Sequence, residues 1–169
     1  MTAFDLHVLT AAALIGIGAT MFMDLAAIVQ RRVFAMQTLD YAMVGRWIGH
    51  VLRGQVIHRP IAASPALPGE TAIGWGVHYL TGASFAAAFL TLAGRDWLAS
   101  PSLLPALGFG AVTVLVPYLI LQPGLGAGLA ARCTPNPNLA RAKSLLSHLI
   151  FGFGLWVAGM ALAALTQAG

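Results

Sequence analysis

The chain has 169 residues, of which 59% are hydrophobic and 8% charged. Soluble domains carry about 25% charged residues, so most of this surface does not face water, and the mean hydropathy of +0.82 agrees. The balance of 9 basic against 5 acidic residues gives +4, but the basic residues sit in loops between apolar runs, where charge sets membrane orientation rather than marking a nucleic-acid partner. One membrane domain over 1–169 suits this length. Cys133 is the only cysteine, which excludes an intrachain disulfide, a CxxC pair and a zinc framework.

A helix needs about 20 apolar residues to cross a bilayer. Met1 to His7 includes Asp5 and neither Lys nor Arg, so the chain does not open on a cleavable signal peptide, which needs a positive start. The first span is expected over 6–30, broken only by Asp24. A loop rich in arginine follows, and within it residues 39–54 repeat with helical period. Val44, Trp47, Ile48, Val51 and Leu52 fall on one face, while Arg46, His50 and Arg53 fall opposite. This predicts a short amphipathic helix in the membrane interface, capped by Thr38 or Asp40, its basic face turned to water or anionic lipid. Pro60 to Pro68 contains three prolines and reads as an irregular spacer.

The second span is expected over 71–94. The third apolar run continues from Trp97 to Ala131 without a formal charge. Ser100-Pro101 suits a helix start, Pro117 should kink the helix, and Gln122-Pro123-Gly124 should end it, giving a span over 102–122. The remainder to Ala131 lies at the surface or dips back into the membrane. Thr134-Pro135-Asn136-Pro137 resists helix, Asn138 can cap the next one, and the fourth span is expected over 144–166. Helices are required because lipid cannot satisfy open backbone groups. The expected fold is therefore all-α: a polytopic membrane protein with four transmembrane helices and one interfacial helix in the first long loop.

Arg31, Arg32, Arg46, Arg53 and Arg59 lie between spans one and two, and Arg132, Arg141 and Lys143 between spans three and four. Eight of the nine basic residues thus share one side, with Arg95 alone opposite. Both long loops should be cytoplasmic and both termini outside. A weak internal repeat is visible: Gly16-Ile17-Gly18-Ala19 resembles Gly108-Phe109-Gly110-Ala111, and His78 with Gly82 resembles His148 with Gly152. Two duplicated hairpins in parallel orientation would account for it.

Several strings carry a family resemblance. They are Gly18-Ala19-Thr20 through Met23-Asp24, Leu39-Asp40-Tyr41, Val44-Gly45-Arg46-Trp47 and Gly49-His50, then Pro68-Gly69-Glu70, Gly74-Trp75 and His78-Tyr79, and finally Gln122-Pro123-Gly124, Thr134-Pro135-Asn136-Pro137, Ser147-His148 and Phe151-Gly152. Over nearly its whole length the chain resembles a family of small, uncharacterised bacterial inner-membrane proteins. The resemblance implies a bacterial four-helix membrane protein and brings no activity, substrate or cofactor.

Ionisable residues inside spans are costly and default to a functional hypothesis. At about 1.5 Å per helical residue, Asp24 should lie roughly 10 Å from the cytoplasmic edge, His78 roughly 12 Å and His148 roughly 8 Å, with Gln122 on the same side. If their faces turn inward, Asp24, His78, Gln122 and His148 form one polar layer. Such a layer can simply bond within itself and fix helix register. Asp24, His78 and His148 are also a plausible metal ligand set, His78 and His148 plausible haem ligands, and Asp24 with the histidines a proton path. No local motif chooses a cofactor. Gly124-Leu125-Gly126-Ala127-Gly128 lacks the ending of a phosphate loop, and no serine or threonine stands at motif spacing from a base. Three classes stay open: a non-enzymatic subunit or scaffold partnered by lipids, other membrane subunits or further copies of itself; a small or proton-coupled carrier; and a metal- or haem-binding redox protein.

Overall fold

The computed structural model describes residues 3–167. Met1, Thr2, Ala168 and Gly169, the ends of the expected domain, lie outside the described residues, as do the side chains of residues 3–6 and Arg95. The elements are α1 (Ala3–Phe34), α2 (Tyr41–Val51), a 3-10 turn (Ile61–Ala63), α3 (Glu70–Ala93), α4 (Arg95–Ala99), α5 (Leu103–Thr113), a π-helical stretch (Pro117–Leu121), α6 (Gln122–Leu125), a 3-10 turn (Leu129–Ala131) and α7 (Pro137–Gln167). Among the described residues there is no strand. Four segments are long and apolar enough to cross a membrane: His7–Phe34, Glu70–Ala93, Leu103–Leu125 and Pro137–Gln167.

The helices overrun the apolar runs. Helix α1 continues through Arg31 and Arg32 to Phe34, and Ala35 then turns with a φ of 51°. Helix α7 begins earlier than the fourth apolar run, and its cap is Asn136 rather than Asn138. The Leu139 N–H donates to Asn136 Oδ1 at 3.3 Å, and Pro137 takes the first helical position, where its missing N–H costs nothing. The third span is irregular where Pro117 removes a donor. The Gln122 N–H reaches back five residues to the Pro117 carbonyl, so the chain runs as a π turn through Leu121. The helix then continues past Gln122 to Leu125 and ends at Gly126, whose φ of 94° favours glycine.

Two compact units emerge. The first comprises the described parts of Met1–Met36, Tyr79–Val112 and Ser147–Gly169; the second comprises Gln37–His78 and Thr113–Leu146. In the first, Ala12, Ile15, Ala19, Ala86, Phe89, Trp97, Ala106 and Leu155 form a continuous apolar core. Its helices approach at glycines. A Cβ on Gly16 would lie 2.5 Å from the Ala83 Cα, and one on Gly110 would lie 2.7 Å from the Gly152 Cα. Lipid offers no hydrophobic drive between helices, so such small-residue contacts supply the packing. Each pairing, α1 with α3 and α5 with α7, crosses at one glycine pair. In each, the second glycine lies four residues past a histidine, His78 or His148. Gly16 meets Gly82 and Gly110 meets Gly152, so Gly110, and not Gly108, is the counterpart of Gly16 in the second hairpin.

In the second unit α2 is a regular amphipathic helix. Asp40 caps it by accepting the Ala42 N–H at 2.9 Å, and Val44 and Trp47 are buried. It meets the start of α3 backbone to backbone: a Cβ on Gly45 would collide with the Glu70 carbonyl, and one on Gly74 with the Tyr41 carbonyl.

Candidate functional site

Asp24, His78 and Gln122, expected within the spans, each have a near neighbour. Asp24, on α1, accepts a hydrogen bond from the Tyr79 hydroxyl at 3.0 Å through Oδ2. His78 stacks on Tyr41, ring centroids 4.2 Å apart, with Trp75 edge-on at 5.7 Å. Gln122 donates to Ser144 Oγ at 3.0 Å, and Tyr118, one turn before it, donates to the Arg141 carbonyl at 2.7 Å. His148 is half-buried on α7, and its carbonyl faces Gly110. Asp24 and His148 belong to the first unit, His78 and Gln122 to the second. The four are therefore not one group within either unit. Among the described residues, no three His, Cys, Asp or Glu side chains are placed to hold a metal ion, so the set Asp24, His78 and His148 gains no support as a metal centre.

The densest polar arrangement lies in the second unit, around α2. Arg46 grips Glu70 with both arms of its fork, Nε to Oε2 at 2.8 Å and a terminal nitrogen to Oε1 at 2.7 Å. Its other terminal nitrogen donates to the carbonyls of Ser64 at 3.2 Å and Ala62 at 3.4 Å. Glu70 also accepts the Leu67 N–H at 2.9 Å. Bidentate pairs of this kind add directional specificity to their energy, and the hydrogen bond to Glu70 raises the Arg46 pKa above its ordinary value. One side chain thus fastens α2, the Pro60–Pro68 spacer and the first turn of α3.

The expected basic face of α2 is accordingly corrected. Of Arg46, His50 and Arg53, only Arg53 is exposed. Arg46 is committed to Glu70, and His50 is buried with 5% of its surface exposed. A helical wheel counts faces of one helix, and here the spacer folds back over the face that the wheel leaves open. The His50 Nε2 lies 3.0 Å from the Pro65 carbonyl and its Nδ1 3.1 Å from Gln55 Oε1. A carbonyl only accepts, so Nε2 carries the proton. His58 is buried beside it, ring centroids 5.3 Å apart. Its Nδ1 donates to the Gly124 carbonyl at 3.2 Å, and its Nε2 has no hydrogen-bond partner. Trp47 lies against Gly124 and donates to the Val56 carbonyl at 2.8 Å. These contacts tie α2 to α6 and to the segment that follows α2.

Chemically this is a clamp. It contains hydrogen-bond donors, acceptors and one ion pair, but no nucleophile beside a base. The model of a family described as "Protein of unknown function (DUF2938)" matches residues 13–162. The chain belongs to that family. No curated protein and no solved structure matches it. Membership agrees with the sequence resemblance and with four membrane-spanning helices. It assigns no reaction to the clamp or to Asp24.

The partners that matter most here were not identified in the sequence. Glu70 stands 24 residues from Arg46, and Tyr79 stands 55 from Asp24. One signal existed: Glu70 is the sole acidic residue between Asp40 and Asp96, and an arginine held near apolar surface needs such a partner.

Proposed function

We propose that this integral membrane protein is a non-enzymatic subunit or scaffold of a bacterial inner membrane, with both long loops cytoplasmic and both termini outside. One observation carries the reading: Asp24, Gln122 and Tyr118 each make a hydrogen bond within the protein, although the buried Gln122 Oε1 has no partner. Asp24 holds Tyr79, Gln122 holds Ser144 and Tyr118 holds a backbone carbonyl. Buried polar groups that bond each other set helix register and specify one packing. Meanwhile α1 presents Leu14, Ile17, Met21, Leu25 and Ile28 outward, a continuous apolar stripe suited to lipid or to other membrane helices. The eight basic residues that lie between the first and second and between the third and fourth apolar runs support the orientation.

The test uses a photoreactive residue at position 25, in cells expressing the full chain at native level. A scaffold crosslinks to one defined membrane protein or to a second copy, and Asp24→Asn leaves that crosslink intact. In parallel, purified protein in liposomes is assayed for proton and solute flux. Flux above empty liposomes that disappears in Asp24→Asn would overturn the scaffold reading in favour of a carrier.

A further inference from the structure

The net charge of the protein is confined to one unit. The first unit contains Arg31, Arg32 and Arg95 against Asp5, Asp24 and Asp96, and is neutral. The second contains six basic residues, Arg46, Arg53, Arg59, Arg132, Arg141 and Lys143, against Asp40 and Glu70 only. Both acids are already used: Asp40 caps α2 and Glu70 holds Arg46. Arg141 is used too, donating to the Ala130 carbonyl and to Asn138. Arg53, Arg59 and Arg132 remain exposed.

These three do not stand on a plain polar surface. The turn after α2 exposes Leu52 by 84%, Val56 by 53% and Ile57 by 67%, so aliphatic side chains share one loop with the exposed Arg53 and Arg59. That tip is fixed in place. The His58 N–H donates to the Gly124 carbonyl at 3.1 Å, and a Cβ on Gly126 would lie 2.6 Å from the His58 carbonyl oxygen and 3.2 Å from the Arg59 Cα. Two residues on, a Cβ on Gly128 would lie 2.9 Å from the Arg132 Cγ. Gly126 and Gly128, with φ of 94° and 73°, therefore bring the Arg59 loop and the Arg132 loop together. Leucine, valine and isoleucine exposed beside unpaired arginines at a membrane edge suit one kind of ligand, an anion carried on an acyl chain.

We propose that the corner formed by Leu52–Arg59 and Arg132 binds anionic phospholipid. Arg59 and Arg132 take the headgroup phosphate, Arg53 adds to the attraction, and Leu52, Val56 and Ile57 enter the acyl boundary. The site is distinct from the expected basic face of α2, two of whose members are turned inward. It rests on membrane integration and not on the scaffold reading.

The full-length protein in mild detergent is titrated with dioleoylphosphatidylglycerol or dioleoylphosphatidylcholine and bound lipids are counted by native mass spectrometry. The wild type should retain phosphatidylglycerol in preference to phosphatidylcholine. Each arginine near an anionic surface accounts for about a fivefold change in affinity. Arg59→Gln with Arg132→Gln should therefore abolish most of the preference, while Arg31→Gln with Arg32→Gln should leave it. Equal retention of the two lipids, or a preference lost equally in the Arg31 and Arg32 variant, would overturn the site. As a second readout, an environment-sensitive dye on Ile57→Cys, in a Cys133→Ser background, should shift to the blue in vesicles holding three-tenths phosphatidylglycerol and be quenched by brominated lipid. A dye that stays in water at every lipid composition would overturn the proposal and direct the search to an acidic protein partner.

Discussion

The two units of this protein solve the same problem with different materials. The first has an apolar core, carries no net charge and brings its helices to backbone contact at Gly16 and Gly110. The second has few large apolar side chains at its centre and is knit by the Arg46–Glu70 pair, the buried imidazoles of His50 and His58, and the Trp47 and Tyr118 hydrogen bonds. The contrast follows the composition of each unit. In hydrocarbon a polar bond gains little over what a helix already has, and close packing of small residues decides. Where water begins to reach, irregular backbone such as the Pro60–Pro68 spacer needs partners for its carbonyls, and arginine and histidine supply them.

Substitution at the glycine contacts should break the contrast most severely. Gly16→Leu forces a side chain into the backbone of Gly82 and Ala83. Overpacking costs about 1–3 kcal/mol, and more where backbone must yield. We expect a large fall in the melting temperature followed by size-exclusion chromatography, with faster hydrogen exchange across residues 79–93. Gly45→Leu should instead release α2, so that exchange rises over residues 41–51 while the first unit keeps its protection. If both variants loosen the whole chain equally, the two units are not separately held.

Next in size is Glu70→Gln. The amide keeps the shape but loses the charge that Arg46 grips, and the guanidinium is left with the Ser64 and Ala62 carbonyls. Exchange should rise over residues 41–68, and the melting temperature should fall by less than in either glycine variant. An unchanged exchange pattern would mean that the ion pair is incidental to α2 docking.

Smaller still is Trp47→Phe, which removes the donor to the Val56 carbonyl together with the indole edge that lies against Gly124. The loss of such a bond costs about 1 kcal/mol, read as a modest shift of the melting temperature. The least effect is expected from Asp24→Asn, because the amide oxygen still accepts from Tyr79. Asp24→Leu, which leaves the Tyr79 hydroxyl without that acceptor, should be clearly worse in the same melt. If the asparagine and leucine variants melt alike, the Tyr79 bond does not hold the spans.

Sequence reading reached the parts of this fold that are governed by local rules. The four spans follow from hydropathy, α2 from its helical period and its cap from two candidates, Thr38 and Asp40, while Pro117 marks the third span as irregular without specifying a π turn. It failed where a residue's role is set by a distant one. The wheel placed Arg46 and His50 toward water because nothing local announces that Glu70 and Pro65 close over them. Asp24 stands out with the histidines as an ionisable group at similar depth, but its neighbour Tyr79, uncharged and inconspicuous in an apolar helix, gives no such sign, and its hydroxyl donates to Asp24 at 3.0 Å. The cap of α7 was misplaced by two residues because Pro137, which forbids helix before it, is welcome as its first residue.

The proposed orientation places both long loops on the cytoplasmic side. Cys133, exposed in the second unit beside Arg132 and the only cysteine in the chain, reports on it without any substitution. A membrane-impermeant maleimide should leave Cys133 unlabelled in intact cells and label it once the membrane is permeabilised. Labelling in intact cells would place the positive loops outside and contradict the account.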